Sequence, residues 1–281
     1  MASRFPLLLL VVLSELSAQT TQTINIVAVA NSADFQPGLP QKGSLASLFV
    51  TGLQGGSGII TNSTRPLSNY LNGISVWINF LPAPILSIAF SSGYQQINVQ
   101  FPWEGQRDPL YVEVFQNGMR AHTENTQVNG WSVFFSDANG YGILQHASDY
   151  SLVTPQNPAH PGEYVIAYAI NLGPVENQPQ TGVPASSSPL SYSTTPGGVC
   201  RMSDSIHIGT TTGSPSYVGL APGTVGVYQV NFQLPSSVGT GDLSLTFVRT
   251  LLVNPVGQCL GSGLGSQTST LTSRSVLLPV T

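Results

Sequence analysis

The sequence predicts an all-β protein built from two tandem antiparallel β-sandwich units, and three observations carry the prediction. Residues 96–102 read Q-I-N-V-Q-F-P and residues 229–235 read Q-V-N-F-Q-L-P, so one seven-residue pattern is written twice. Within each copy the apolar and polar side chains alternate with a period of two, as on a strand with one face buried. The 29 glycines and 21 prolines are spread evenly, as turns between short strands are.

The repeat extends well beyond the motif. S-A-D-F (32–35) answers A-S-D-Y (147–150), and G-S-L-A-S-L-F-V-T-G-L (43–53) answers G-E-Y-V-I-A-Y-A-I-N-L (162–172). P-L-S occurs at 66–68 and 189–191, and the run 74–90 answers 206–222, each with a proline, Pro84 or Pro215, just past its centre. Five matches in one order predict a duplicated unit dividing at 138/139, so that residues 19–138 form the first sandwich and 139–281 the second.

In chain order, β-branched or aromatic runs predict strands at 24–30, 46–51, 74–80, 96–101, 109–116 and 131–135 in the first half. In the second half they fall at 164–170, 205–210, 229–234, 243–249 and 275–280. In the paired motif Ile97, Val99 and Phe101 oppose Gln96, Asn98 and Gln100, and Val230, Phe232 and Leu234 oppose Gln229, Asn231 and Gln233. Pro102 and Pro235 follow, where no ladder donor is wanted. About seven short strands per unit, with no sustained helical stripe, is the pattern of a sandwich.

Composition excludes several classes. Only 7% of the 281 residues are charged, against about 25% in an average soluble domain. The hydrophobic content of 41% rules against a disordered chain. A net charge of −4, one lysine (Lys42) and no basic run leave nothing to neutralise phosphates, so nucleic acid is not an expected partner.

Residues 1–18 have the layout of a secretory signal peptide: Arg4 in a short basic region, an apolar run from Phe5 to Leu13, and Leu16-Ser17-Ala18 before the cleavage point. That apolar run is too short to span a membrane, which takes about 20 residues, and no transmembrane segment is expected elsewhere. The expected location is secreted and extracellular, or periplasmic. Export makes Cys200 and Cys259, the two cysteines, a candidate disulfide; two unpaired thiols are the alternative. N-S-T at 62–64 is a glycosylation sequon that matters only in a host able to use it.

Enzymatic motifs are absent. His122, His146, His160 and His207 fit no metal spacing, and there is no G-x-S-x-G elbow, P-loop or dinucleotide fingerprint. Glu104, Asp108 and Glu113 are the densest carboxylates, read as a solvated loop and strand end rather than a glycosidase pair. The loop F-S-D-A-N-G-Y-G (135–142) offers Asp137 and Asn139 to a calcium ion, but Ser148 stands where an EF-hand needs its bidentate glutamate, and Asn-Gly favours a simple turn. No metal or cofactor is expected.

The candidate binding residues are the uncharged amides Asn98, Gln100, Asn231 and Gln233 together with Trp103, near Trp77 and Trp131 in sequence. Amides offer hydrogen bonds and indoles offer stacking to sugars. The same residues equally suit sheet surface or core. A binder for an extracellular polysaccharide or surface protein exposes its aromatics together on one face, whereas a structural spacer or assembly unit buries them; an unrecognised hydrolase is the third reading. Low charge also leaves edge strands dependent on loops and prolines, so self-association is open.

The runs 43–53, 74–86 and Q-I-N-V-Q-F-P-W-E, with N-L-G-P-V (171–175) and G-L-A-P-G-T-V-G-V-Y-Q-V-N-F-Q-L-P (219–235), resemble an uncharacterised C-terminal domain family of secreted proteins of soil Acidobacteria. The Thr-Gly-Leu part is also similar to immunoglobulin-like IPT/TIG modules. The resemblance implies two immunoglobulin-like sandwiches in an exported bacterial protein and implies no activity. The Ser/Thr/Pro segment 181–198 and the cysteine-bearing loops depart from the family pattern.

Overall fold

A computed structural model describes residues 23–105, 110–127, 133–194, 202–253 and 267–281. The signal-peptide reading of residues 1–18, Trp131, Asp108 and the Cys200–Cys259 pair lie outside the described residues. Those described form strands and turns, with no helix among them.

The first unit contains β1 (Asn25–Asn31), β2 (Leu45–Thr51), β3 (Gly58–Thr61), β4 (Tyr70–Leu71), β5 (Ile74–Ile78), β6 (Leu81–Ala83), β7 (Ile85–Phe90), β8 (Gln95–Gln100), β9 (Leu110–Gln116) and β10 (Met119–Thr126). They pair as β1-β2-β8-β7-β3 and β10-β9-β5-β4, with β6 on β5. Setting aside the short β3, β4 and β6, this is the A-B-E-D and C-F-G strand order of a constant-type immunoglobulin domain.

The second unit contains β11 (Val133–Phe134), β12 (Leu144–His146), β13 (Tyr164–Ile170), β14 (Met202–Ile208), β15 (Thr211–Gly213), β16 (Pro215–Leu220), β17 (Tyr228–Gln233), β18 (Gly241–Val253), β19 (Gln267–Thr272) and β20 (Val276–Val280). Its sheets run β11-β13-β17-β16, with β12 also on β13, and β15-β14-β18-β19, with β20 also on β18. The immunoglobulin-like order is repeated, the first strand being split between β11 and β12 and the last between β19 and β20.

The duplication holds at the level of register. Ile97 lies between Leu48 and Ile88 just as Val230 lies between Ala167 and Val218. Gly43 N–H donates to Phe101 O (2.7 Å) and Gly162 N–H to Leu234 O (3.0 Å). Pro66 and Pro189 both follow cis peptide bonds, and Phe35 and Tyr150 both sit at positive φ, 56° and 60°. One match shifts: Val99 pairs with Ile85 and Phe232 with Pro215, so the structural counterpart of Pro215 is Ile85, the neighbour of Pro84.

Val133 and Phe134, on the N-terminal side of 138/139, pair with Ile170 and Ala169 of β13.

Each unit hides the inward faces of its two sheets. Ile74, Val76 and Ile78 meet Ile97, Val99 and Phe101 in the first, all fully buried; Val165, Ala167 and Ala169 meet Ile206, Ile208 and Phe247 in the second. Each such Ile, Val or Phe side chain contributes about 1.5–3 kcal/mol.

The units are joined by more than the chain. Trp103, just past the first QxNxQxP motif, sits 7% exposed in the second unit's core cluster. Its ring lies so close to Gly43 that a Cβ there would come within 2.2 Å of it, and φ at Gly43 is +82°, so only glycine fits. Gly182 N–H donates to Gln100 Oε1 (2.7 Å), Trp103 N–H to Thr181 Oγ1 (3.0 Å) and Asn171 N–H to Ser44 Oγ (3.1 Å).

Candidate functional site

The outward face of the β2-β8-β7 sheet carries aromatic and amide side chains side by side. Because alternate residues of a strand point the same way, Ser47 and Phe49 of β2, Gln96 and Asn98 of β8, and Ser87 and Ala89 of β7 all face away from the core. Register sets Phe49 opposite Gln96 and Ser47 opposite Asn98, with Ser87 on the other side of Asn98.

Asn98 is the hub of this row. Its Oδ1 accepts from Ser47 Oγ (2.7 Å) and Gln96 Nε2 (2.8 Å), and its Nδ2 donates to Ser87 Oγ (3.0 Å). Three partners hold the amide fixed. Gln96 is oriented in turn by its Nε2, which donates to Asn98 Oδ1 and lies 3.3 Å from Ser47 Oγ.

Beside the amides runs an aromatic row. Phe49 meets Phe35 edge-on at 5.9 Å and Tyr94 at 5.7 Å between ring centroids. Phe35 and Tyr94 are 50% and 48% exposed, which marks the row as surface rather than core. Phe35 is held out on a turn closed by Asn31, whose Oδ1 accepts from Ala33 N–H (2.9 Å) and Asp34 N–H (3.1 Å), while Asp34 Oδ1 accepts from Gln36 N–H (3.1 Å). A phenylalanine at positive φ costs about 1–3 kcal/mol, and such outliers concentrate at functional positions. Uncharged donors and acceptors beside exposed rings match a sugar, which offers hydroxyls at its edge and C–H groups on its face.

The residues expected from sequence divide between surface and interior. Asn98 lies in the row as its organiser, and Asn231 holds the matching place, accepting from Gln229 Nε2 (3.2 Å). Gln233 is exposed and donates from Nε2 to Gly162 O (2.8 Å). Gln100 and Trp103 are both buried at the junction between units, apart from the outward row. Gln100 Nε2 donates to Gly43 O (3.0 Å), the counterpart of the Gln233 bond, so the repeated glutamine ties a strand end to its neighbouring turn in both units. Trp77 is half-buried on β5, in the other sheet.

Sequence reasoning missed Phe35, Phe49, Tyr94 and Gln96 as a group. Phe49 shares the parity of Ser47 in an otherwise apolar run, which marks it as outward, and Phe35 ends one of the five repeated segments; Tyr94 carries no such signal.

The remaining candidates are occupied separately. Glu113 receives Arg120 Nε (2.7 Å), and Glu104 receives the Thr181 hydroxyl (2.6 Å). His146 is buried between Glu163, whose Oε1 lies 3.0 Å from Nδ1, and the Asn157 carbonyl at 3.2 Å from Nε2. His160 pairs with Thr281 and His207 with Ser205. Asp137 Oδ1 accepts from Asn139 N–H (2.8 Å) and Tyr141 N–H (2.9 Å), closing its loop as an Asx turn. Among the described residues no three His, Cys, Asp or Glu side chains gather around one point, and no helix is long and apolar enough to cross a membrane. A cleft of about 450 Å³ between the units is walled by prolines 82, 84 and 102 with Glu104 and Thr181.

No family model and no curated protein matches the chain. Among solved structures it is similar to the SGBP-B protein of the Bacteroides ovatus mixed-linkage glucan utilization locus, in complex with a mixed-linkage heptasaccharide: 13% identity, 93% of this chain and 47% of that one, TM-score 0.35. It is similar also to domains 4–9 of the surface layer protein SbsC, with 14% identity, 91% and 31% covered and a TM-score of 0.25. A titin fragment follows at 13% identity, 90% and 99% covered and a TM-score of 0.20. The chain spans about half the length of the first and a third of the second. The assignment of two immunoglobulin-like sandwiches rests on strand order.

Proposed function

We propose that the protein is a non-catalytic extracellular binding module for a neutral polysaccharide, and that the Phe35–Phe49–Tyr94 row with Gln96 is its contact surface. The single observation that carries this reading is that two exposed rings, Phe35 and Tyr94, flank the half-buried Phe49 at one sheet face beside a fixed, uncharged amide row. A spacer would bury those rings. The separate engagement of its carboxylates and histidines supports a non-catalytic reading, and the export signal read from residues 1–18 supports an extracellular location.

The test is retention on immobilised glycans, comparing the wild-type chain with Phe35→Ala, Tyr94→Ala and Gln96→Ala. Each change lies at a surface position, so the fold survives and loss of binding reports contact. Saturable binding to a neutral glycan, weakened by each variant, supports the reading; binding indifferent to all three, or none to any glycan, removes it.

A further inference from the structure

The duplication places a second aromatic row on the second unit. Tyr168 of β13 is the counterpart of Phe49 and stands opposite Gln229 as Phe49 stands opposite Gln96. Tyr150 is the counterpart of Phe35: it too follows an aspartate, sits at positive φ and is 65% exposed. Gln145 fastens the two tyrosines, accepting from the Tyr168 hydroxyl (2.6 Å) and donating to Tyr150 O (2.9 Å). The Tyr168 hydroxyl has its pKa raised, first by burial and then by the neighbouring Tyr150 hydroxyl. Two unrelated surfaces would not repeat an outlying backbone angle under an aromatic ring.

The two rows also adjoin. Tyr164, Ile166, Tyr168 and Ile170 alternate on the outward face of β13, and Ile170, at the end of that line, is fully buried against Ala33 of the first unit. Ala33 belongs to the turn that carries Phe35. At the seam the carboxylate of Asp34 is paired with Arg274 at 3.1 Å.

We infer that one linear chain of neutral polysaccharide binds across both units, from the Tyr94–Phe49–Phe35 row over the Ala33–Ile170 seam to Tyr168 and Tyr150. The inference rests on the function proposed above. Linking two contact areas on one chain makes engagement of the second intramolecular, so a polymer is held more tightly than a fragment that fills one row.

The experiment measures affinity for soluble β-glucan, galactomannan and xylan, each beside its own short oligosaccharides, with the wild type, Phe35→Ala, Tyr150→Ala and Tyr150→Ala/Tyr168→Ala. Tyr150 is exposed, so its single variant reports even if the double variant is destabilised. The expected result is polymer binding weakened about tenfold or more by Tyr150→Ala with oligosaccharide binding unchanged, while Phe35→Ala weakens both. Polymer binding unchanged in Tyr150→Ala but lost in Phe35→Ala overturns the two-unit track and leaves the proposed function standing. No binding by the wild type overturns both. Sedimentation showing a ligand-free dimer that Tyr150→Ala dissolves assigns the face to a second copy of the chain and also overturns the track.

Discussion

Asn62 shows how a local motif changes meaning once its surroundings are known. It opens the sequon N-S-T, yet it is 3% exposed, and its Nδ2 donates to Ser68 O (3.1 Å) and Ile85 O (2.9 Å). A glycan would have to leave by the same nitrogen through a filled interior. In a glycosylating host, intact-mass measurement of the folded secreted protein is expected to show no sugar at Asn62. Tyr217 allows a pH prediction. Burial first, and then the Tyr192 hydroxyl, pushes its pKa from 10.0 up to about 12, while the group donates to Leu220 O at 2.7 Å. The folded state therefore holds this proton more tightly than the unfolded chain. Its contribution is whole below pH 10 and is lost as pH rises toward 12. In denaturant melts Tyr217→Phe should cost about 1 kcal/mol at neutral pH and flatten part of the alkaline decline.

At the scale of single elements, the duplicated strands β8 and β17 look equal in sequence and are not equal in bonding. Among the described residues Asn98 has three side-chain partners, two hydroxyls and one amide, whereas Asn231 has one, accepting from Gln229. Asn98→Ala should therefore cost about 2 kcal/mol in urea unfolding and Asn231→Ala about 1 kcal/mol; equal losses would mean that the hydroxyl partners contribute nothing. The inward strands were legible because alternation maps directly onto burial, as Ile97, Val99 and Phe101 show. The elements that escaped have physical reasons. β7 and β16 each carry a bulge, between Ile85 and Ser87 and between Pro215 and Tyr217, which breaks the two-residue period, and β16 also begins with proline and contains Gly219. β10 reads M-R-A-H-T-E-N-T, too polar to register as a strand until β9 supplies its partner. The aromatic row was illegible for a different reason: Phe35, Phe49 and Tyr94 come from a turn, a strand and a second turn, brought together only by folding.

For the whole molecule, the junction decides behaviour. The sequence showed that there are two units, and could not show that Trp103 and Gln100, written among the binding candidates, belong to the contact between them. Trp103→Ala should cost about 3–5 kcal/mol, as large-to-small core changes do, and should do so in the second unit although the residue follows the first unit's motif. Calorimetry is expected to give one cooperative transition for the wild type and two separated transitions for this variant; two transitions in the wild type would show the units to be independent. The duplication is thereby coupled. Deleting the first copy would take Trp103 out of the other's interior, and deleting the second would leave that indole and the Gln100 amide facing water, so each copy is expected to be less stable alone than beside its twin.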